Sequence, residues 1–471
     1  MTNSYTKDRE SVISGNTTFE TIVQQHIGNI NANSSMNAFL LLNDNAIQLS
    51  KETDKRACSL SSIDGMNIAI KDNISTKGIR TTCASKMLQD FIPVYDATVI
   101  TRLKQKGAII LGKANMDEFA MGSSGETSYF GATDHPLFSG YVPGGSSSGS
   151  AAAVAAGFCH AALGSDTGGS VRQPAAFCGV YGFKPSYGRI SRYGLIAFAS
   201  SLDQIGIFAR DIDTVSLVFD SISGEDEYDS TCSRLSPSDS FSNLDNSIDY
   251  HSLAIAILPE NELLGLSQDV RKVYDATIQS LKKAGCTFKE LSIPASSAWI
   301  PTYYILATAE ASSNLARYDA VRYGTRVNND INQDMTTASR SDGFGKEVQR
   351  RIMLGTYVLS SGYYEAYYKK AQKARRVIVN GYTSIFDQAD LMLLPTTPTA
   401  PFKRGEKSSN PLEMYLSDYF TVSANIAGIP AISFPAGHND QGLPIGLQLQ
   451  ATFNQDEKLL QLTKHIASLI T

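Results

Sequence analysis

The stretch from Pro143 to Pro185 constrains this chain more than any other. Two glycine-serine turns, Gly144-Gly-Ser-Ser-Ser-Gly149 and Gly164-Ser-Asp-Thr-Gly-Gly-Ser170, lie about 24 residues apart, with the run Ala151–Ala156 between them. Glycine lets the backbone approach a ligand closely or turn successive N–H groups toward one point, and the neighbouring serines add hydroxyls at the same places. A flexible glycine-serine linker has a similar composition. Linkers, however, are not followed by segments such as Ala151–Ala156, Phe177–Val180 and Tyr181–Phe183, whose apolar character predicts burial. The stretch therefore reads as the scaffold of an active site.

The flanking pattern is that of an α/β protein. Phe19, Ile22, Val23, Ile27 and Ile30 have helical spacing over residues 17–30, and Met66–Ile70 reads as a short buried strand ending at Lys71. Asp96 is placed to cap a helix running to Lys106, with Gly107 as its stop and Ala108–Leu111 as the next strand. Strand, helix and strand in this order imply some parallel pairing. A second such unit follows, with strand Leu253–Leu258, a helix capped by Ser267 and ended by Gly285, and strand Cys286–Ile293. It fits either a separate lobe or more of the same sheet. Between the units, residues 222–250 are rich in Ser, Asp, Glu and Asn and read as a polar surface excursion.

Residues 343–380 read as mostly helical. Tyr363, Tyr364, Tyr367 and Tyr368 precede Lys369, Lys370, Lys373, Arg375 and Arg376, a spacing found at nucleic-acid contacts but more commonly in a helix with a buried tyrosine face and a solvated basic end. The last hundred residues alternate strands (Asp390–Leu394, Ala431–Phe434, Ile445–Gln450) with turns, and residues 438–442 form a hairpin turn between the last two.

A length of 471 residues alone suggests about two to four domains. A net charge of −5 excludes binding a phosphate backbone by bulk electrostatics. Six cysteines without C-x-x-C spacing argue for buried reduced thiols rather than a zinc site or disulfide framework. No apolar run is long enough to span a bilayer, and the first ten residues lack a signal core, which points to the cytoplasm or to a processed organellar form.

Serine chemistry needs a base and an oxyanion site. The six histidines, at 26, 135, 160, 251, 438 and 465, lie outside the glycine-serine core apart from His160, and read as structural. Gly145-Ser-Ser-Ser-Gly149 matches G-x-S-x-G, which would make Ser147 an α/β-hydrolase nucleophile. That elbow requires a strand leading directly into it, and Pro143-Gly144 leaves no room for one. Ile68-Ala-Ile-Lys71 has the form of a kinase strand, but neither a G-x-G-x-x-G loop nor H-R-D or D-F-G accompanies it. Lys71 stays of interest because desolvation at a strand end makes a neutral amine available as a base. Thr167, Gly168, Gly169 and Ser170 then offer consecutive N–H groups for an oxyanion, with Ser170 as nucleophile and Asp166 holding the turn.

Gly144–Gly157 and Gly164–Pro174 together resemble the amidase signature and its Ser-cisSer-Lys triad. The resemblance implies Ser170 as nucleophile, Ser146 after a cis peptide as bridging serine and Lys71 as base. Ser148 departs from the glycine that many members carry, two residues past the bridging serine. Asn115–Gly122, Ser191–Gly206, Glu310–Tyr318, Gly343–Ile352 and Leu359–Tyr364 are similar to the branch of that family formed by the A subunits of tRNA-dependent amidotransferases. The resemblance covers nearly the whole chain. It implies one α/β amidase-signature domain over residues 1–471, built on a central mixed β-sheet flanked by helices on both faces. It also implies a glutamine pocket in which Arg351 pairs with the substrate α-carboxylate, Asp418 with its α-ammonium, and Tyr303 lines the site.

The function so implied is a glutaminase subunit that supplies ammonia for converting misacylated Glu-tRNA(Gln), or Asp-tRNA(Asn), to the correctly amidated tRNA. Expected partners are a tRNA-binding kinase and transamidase subunit, which holds ATP and Mg²⁺, and a small third subunit. No metal or cofactor is expected in this chain, and no membrane. A free-standing amidase acting on small amides is the alternative; a catalytically idle scaffold is opposed by the intact Lys71, Ser146 and Ser170.

Overall fold

The computed structural model describes residues 4–263, 265–327, 334–407 and 411–470, so the first three residues of the N-terminal stretch considered above lie outside it. Its eleven strands are β1 (Phe39–Leu42), β2 (Asn67–Lys71), β3 (Ile109–Ala114), β4 (Ala161–Asp166), β5 (Tyr181–Lys184), β6 (Gln204–Ala209), β7 (Ala254–Ile257), β8 (Thr287–Glu290), β9 (Leu391–Pro395), β10 (Ala431–His438) and β11 (Pro444–Gln450). They form one continuous sheet in the order β1-β3-β2-β4-β6-β5-β10-β11-β9-β7-β8. β3-β2-β4 and β9-β7-β8 run parallel within each group, and the remaining pairs are antiparallel. The second strand-helix-strand unit thus joins the same sheet.

Alternate residues of the central strands feed two different cores, because side chains along a strand point to opposite faces. Ile68, Ile70, Ile110, Leu163 and Ile207 enter one core with Val99, Ile100 and Leu103 of helix Thr98–Gln105 and Tyr274, Ile278 and Leu281 of helix Gln268–Ala284. Ala69, Ile109, Leu111, Ala162 and Phe208 enter the other with Val23 and Ile30 of helix Phe19–Ala32 and the buried Ala151–Val154 of helix Ser148–Ala155. Helices therefore cover both faces, and strands buried on both sides carry near-continuous apolar runs.

Local signals hold where side chain and backbone agree. Ser267 accepts from Val270 N, and Gly285 closes the same helix at φ 108°. Asp96 does not cap its helix. The helix starts at Thr98 behind Ala97, while the Asp96 carboxylate accepts from Lys77 N at 2.7 Å and pairs with Lys104 at 2.8 Å. The tyrosine segment also departs from expectation. Tyr363, Tyr364 and Tyr367 are 37–43% exposed, in a wide five-residue turn at Tyr364–Tyr368 and just before it. Helix Lys369–Phe386 instead buries Ala371, Ile378, Tyr382 and Ile385 further along, and Arg375 turns inward to Ser201 and the Ile426 carbonyl.

The polar segment 222–250 is tied down: Arg102 binds the carbonyls of Ile222, Ser223, Gly224 and Glu225, and Asp226 accepts from Thr98 and Ser191. His160 is structural. Its Nδ1 accepts from Asn67 N at 3.0 Å, which leaves the proton on Nε2, 3.0 Å from Asp8 Oδ2. The trio Asp8, His26 and His160 has metal-ligand composition, but this tautomer presents N–H rather than a lone pair to Asp8. All six cysteines are free. Among the described residues no helix is long and apolar enough to cross a membrane.

Candidate active site

β2 and β4 are parallel neighbours, so their carboxyl ends lie together, the position at which open α/β sheets place ligands. β2 delivers Lys71 there, and β4 delivers Ser165 and Asp166. Lys71 Nζ lies 2.9 Å from Ser146 Oγ, 2.8 Å from Ser147 Oγ, 2.9 Å from Ser165 Oγ and 3.3 Å from the Ser165 carbonyl. The side chain is fully buried, and burial lowers its pKa to about 7 against the opposing pull of Asp117, Asp166 and Asp203. Near neutral pH a substantial fraction is free amine, which is what a base requires.

Ser146 follows a cis Gly145–Ser146 peptide, and its carbonyl accepts from Asp117 N at 3.0 Å. Gln173 braces this turn from behind, with Oε1 accepting from Gly145 N at 2.9 Å and Nε2 donating to the Ser123 carbonyl at 2.8 Å.

Ser170 closes the second turn, just before Val171, the N-cap of helix Arg172–Cys178. Its carbonyl accepts from Ser147 N at 3.3 Å, which ties the two glycine-serine turns to each other. Its hydroxyl has no hydrogen-bond partner among the described residues. Catalytic hydrogen bonds commonly tighten only around substrate.

Asp166 holds the turn as the sequence suggested: Oδ1 accepts from Gly169 N at 2.8 Å, and Oδ2 from Val171 N at 3.2 Å. Gly169 N–H is thereby committed within the turn. Of the four N–H groups expected to face an oxyanion, it is the one already taken, while those of Gly168 and Ser170 donate to no protein group among the described residues. Thr167 Oγ1 donates to Asp203 Oδ1 at 2.6 Å, and Asp203 Oδ2 accepts from the backbone of Phe198 and Ala199. Burial raises Asp203 to about 6.

The glycines are required by contact. A Cβ on Gly168 would sit 2.4 Å from the Tyr303 ring, and one on Gly169, at φ 134°, would sit 2.3 Å from Thr421 Oγ1. Thr421 Oγ1 itself donates to the Gly168 carbonyl at 2.6 Å.

Beyond Tyr303 lie the other two expected pocket residues. Arg351, nearly fully buried on helix Lys346–Leu359, donates from Nε to Glu347 Oε1 at 2.8 Å. Its guanidinium carbon lies 5.3–5.6 Å from the ring centres of Phe198, Tyr304 and Tyr415. Among the described residues, Glu347 is its one hydrogen-bond partner. Asp418 Oδ2 accepts from Ser123 Oγ at 2.9 Å and Tyr304 OH at 3.3 Å, and burial raises its carboxyl to about 7. Tyr304 thus touches both ionic residues.

Lys71, Ser146 and the Thr167–Ser170 turn converge at the strand ends, with Tyr303 packed on the turn. The two ionic residues meet through Tyr304. Ser147 and Ser165 were legible as hydroxyls of the two glycine-serine turns, though not as neighbours of Lys71. Tyr304, Ser123, Thr421 and Gln173 carried no signal of their own.

Such an arrangement is equipped to activate a hydroxyl through a desolvated amine and to hold a small zwitterion beside it. The amidase family model matches residues 21–460. A protein of Sulfurihydrogenibium sp., named as the A subunit of glutamyl-tRNA(Gln) amidotransferase, is 52% identical over 432 residues, covering 91% of this chain and 88% of the relative. The crystal structure of the A subunit of glutamyl-tRNA(Gln) amidotransferase from Thermotoga maritima superposes with a TM-score of 0.79 at 41% identity, over 94% of this chain and 90% of that one. The native peptide amidase of Stenotrophomonas maltophilia does so with a TM-score of 0.82 at 26% identity, over 98% and 96%.

Proposed function

The chain belongs to the amidase family, and from that premise we propose that it is the glutamine-hydrolysing A subunit of a tRNA-dependent amidotransferase, with Ser170, Ser146 and Lys71 as its catalytic triad. The observation that carries the catalytic assignment is the fully buried Lys71 amine, lowered to about 7 and 2.9 Å from Ser146 Oγ.

Neutral Lys71 takes the proton of Ser146 as Ser146 takes that of Ser170. Ser170 Oγ then bonds to the side-chain amide carbon of glutamine, and the carbonyl electrons move onto oxygen, facing the N–H groups of the 167–170 turn other than that of Gly169. As the tetrahedral species collapses, the C–N bond breaks. The proton returns through Ser146 to the departing nitrogen, which leaves as ammonia. Water, deprotonated by the same relay, then opens the glutamyl ester to glutamate and restores Ser170. Arg351 holds the α-carboxylate and Asp418 the α-ammonium, which fixes the amide carbon against Ser170.

The ammonia passes to a partner protein that binds the misacylated tRNA and, with ATP and Mg²⁺, activates its glutamyl or aspartyl carboxylate; a small third subunit completes the assembly. The chain's own charge of −5 suits a component that leaves RNA binding to another.

The test is co-expression with candidate partner subunits and assay of glutamine-dependent conversion of Glu-tRNA(Gln). In that complex Ser170→Ala should abolish amidation with glutamine and retain it with ammonia. Unchanged glutamine-dependent amidation would sink the catalytic assignment. Full tRNA-independent hydrolysis of diverse amides by the lone chain would favour a free-standing amidase.

A further inference from the structure

Two backbone turns next to the site place four non-glycine residues in the left-handed region: Cys83 and Ala84 at φ 53° and 54°, Phe119 and Ala120 at φ 48° and 62°. Such residues persist where the surroundings over-determine them, and they gather at clamps and active sites. The turns are bonded to each other through Phe119 N and the Cys83 carbonyl at 2.9 Å. Each contributes one side chain to a single buried contact.

Ser85, from the first turn, donates through its hydroxyl to Glu118 Oε1, from the second, at 2.5 Å. The other oxygen, Glu118 Oε2, accepts from Gly345 N at 2.8 Å. Glu118 is 3% exposed and Ser85 fully buried. Gly345 is the N-cap of helix Lys346–Leu359 and carries no capping side chain of its own. A Cβ on Gly345 would lie 2.3 Å from Glu118 Oε2, so the carboxylate fills the place where such a helix usually carries its own cap. A second contact reinforces the first, with Lys86 pairing to Asp342 at 2.8 Å across the same seam.

This helix bears Arg351 and Glu347, the carboxylate that holds Arg351 Nε at 2.8 Å. From Gly345 to Arg351 is six residues, an axial rise of about 9 Å along an α-helix. An end that slips or unwinds by a fraction of a turn carries the guanidinium with it.

We propose that Glu118 is a positioning residue for glutamine: its carboxylate anchors the N-terminus of helix Lys346–Leu359 and so sets where Arg351 meets the substrate α-carboxylate. Glu118 touches no substrate, and the proposal rests on Arg351 being the carboxylate binder.

The experiment uses the assembled complex, with glutamine and ammonia as alternative donors. Glu118→Ala should raise KM for glutamine about tenfold with kcat within about threefold, and leave ammonia-dependent amidation unchanged. Ser85→Ala, which removes one of the two bonds, should give a smaller rise in the same direction; it keeps the test open should Glu118→Ala not fold. Glu118→Gln, retaining an acceptor for Gly345 N, should restore most of the affinity. In an Arg351→Ala background, Glu118→Ala should add less than about twofold, because residues acting in series are not additive.

An unchanged KM with only lowered thermal stability would overturn the proposal, as would full additivity with Arg351→Ala. A wild-type complex that ignores glutamine would overturn the glutaminase reading itself, and the anchoring role with it, which is distinguishable from failure of the variants alone.

Discussion

Ser165 Oγ stands 2.9 Å from Lys71 Nζ, the same distance as Ser146 Oγ. With Ser147 Oγ at 2.8 Å and the Ser165 carbonyl at 3.3 Å, four oxygens surround a nitrogen that has at most three protons to give. The Ser165 carbonyl can only accept and so favours the ammonium form, each hydroxyl can turn to accept from that form as well, and burial opposes them. Ser165→Ala removes one acceptor, so it should lower the Lys71 pKa further and move the acid limb of glutaminase activity to lower pH. Asn73 Nδ2, which donates to Ser165 Oγ at 2.9 Å, loses its partner too, and kcat should fall by about tenfold through a less ordered amine. A pH–rate profile of the variant checks both; an acid limb moved upward would contradict the account of how Lys71 is tuned.

The proposed base and the proposed α-ammonium binder both lie at about 7, and both roles require the deprotonated form. Burial lowers Lys71 to about 7, so it is free amine above that value. Burial raises Asp418 to about 7, so it is carboxylate, able to hold the α-ammonium, above the same value. Both therefore gain function as pH rises. Below about pH 7 the logarithm of kcat/KM should fall with a slope approaching 2, as a pair of apparent values rather than two assigned ones. Asp418→Asn should weaken glutamine binding and reduce that slope to about 1. A slope of 1 in the wild type would mean that only one of the two groups titrates in this range.

Arg172 and Asp166 form the buried brace beneath the Thr167–Ser170 turn, 3.1 Å apart, with Arg172 also bonded to Gln448 and Asn425. Burial by itself would raise the Asp166 carboxyl, but the guanidinium and its hydrogen bonds hold it at about 2, below its ordinary 3.8. A depressed acid stabilises the fold above its unfolded value, and that contribution is lost as pH falls toward the folded one. This brace should therefore weaken between about pH 4 and pH 2. Arg172→Met leaves Asp166 buried without its cation and should cost about 3–5 kcal/mol at neutral pH. Chemical denaturation measures it; an unchanged midpoint would mean the pair is dispensable.

How far the sequence could be read depended on whether one residue's role was settled by its neighbours in the chain. Ser267 caps its helix because it bonds a backbone N–H three residues on. Asp166 was readable as the holder of its own turn for the same reason. Asp96 was misread because its carboxylate is drawn to Lys77 and Lys104, and nothing in the local pattern reveals that competition. Within the site, the glycine-serine turns and Lys71 announce themselves by composition. Ser165 lies in the second of those turns, but its contact with Lys71 depends on the parallel pairing of β2 with β4. Thr421 and Tyr304 reach the site across more than a hundred residues of chain, through sheet order and helix packing. Arg351 and Asp418 were nameable through family resemblance alone, and the Tyr304 that both of them touch was not named at all.

Gly168 offers a test of how tightly the Thr167–Ser170 turn is set. Its α-carbon faces the Tyr303 side chain so closely that a methyl group there would lie 2.4–2.7 Å from two ring carbons and the hydroxyl oxygen, and the Gly168 carbonyl is pinned by Thr421. Gly168→Ala must push either the ring or the turn aside. Displacing the turn carries the Gly168 and Ser170 N–H groups with it, and a shift of about 1 Å in such groups can cost about a hundredfold in rate. The variant should therefore lose about a hundredfold in kcat/KM for glutamine while its thermal stability changes little, since the turn lies past the end of β4 and outside the sheet ladder. Steric contact is separable from any intrinsic backbone effect by repeating the substitution in a Tyr303→Ala background. There the methyl group has room, and Gly168→Ala should add only a fewfold loss beyond that of Tyr303→Ala. If it costs the same hundredfold with the ring removed, the ring is not what demands glycine, and the conformation of the turn itself is.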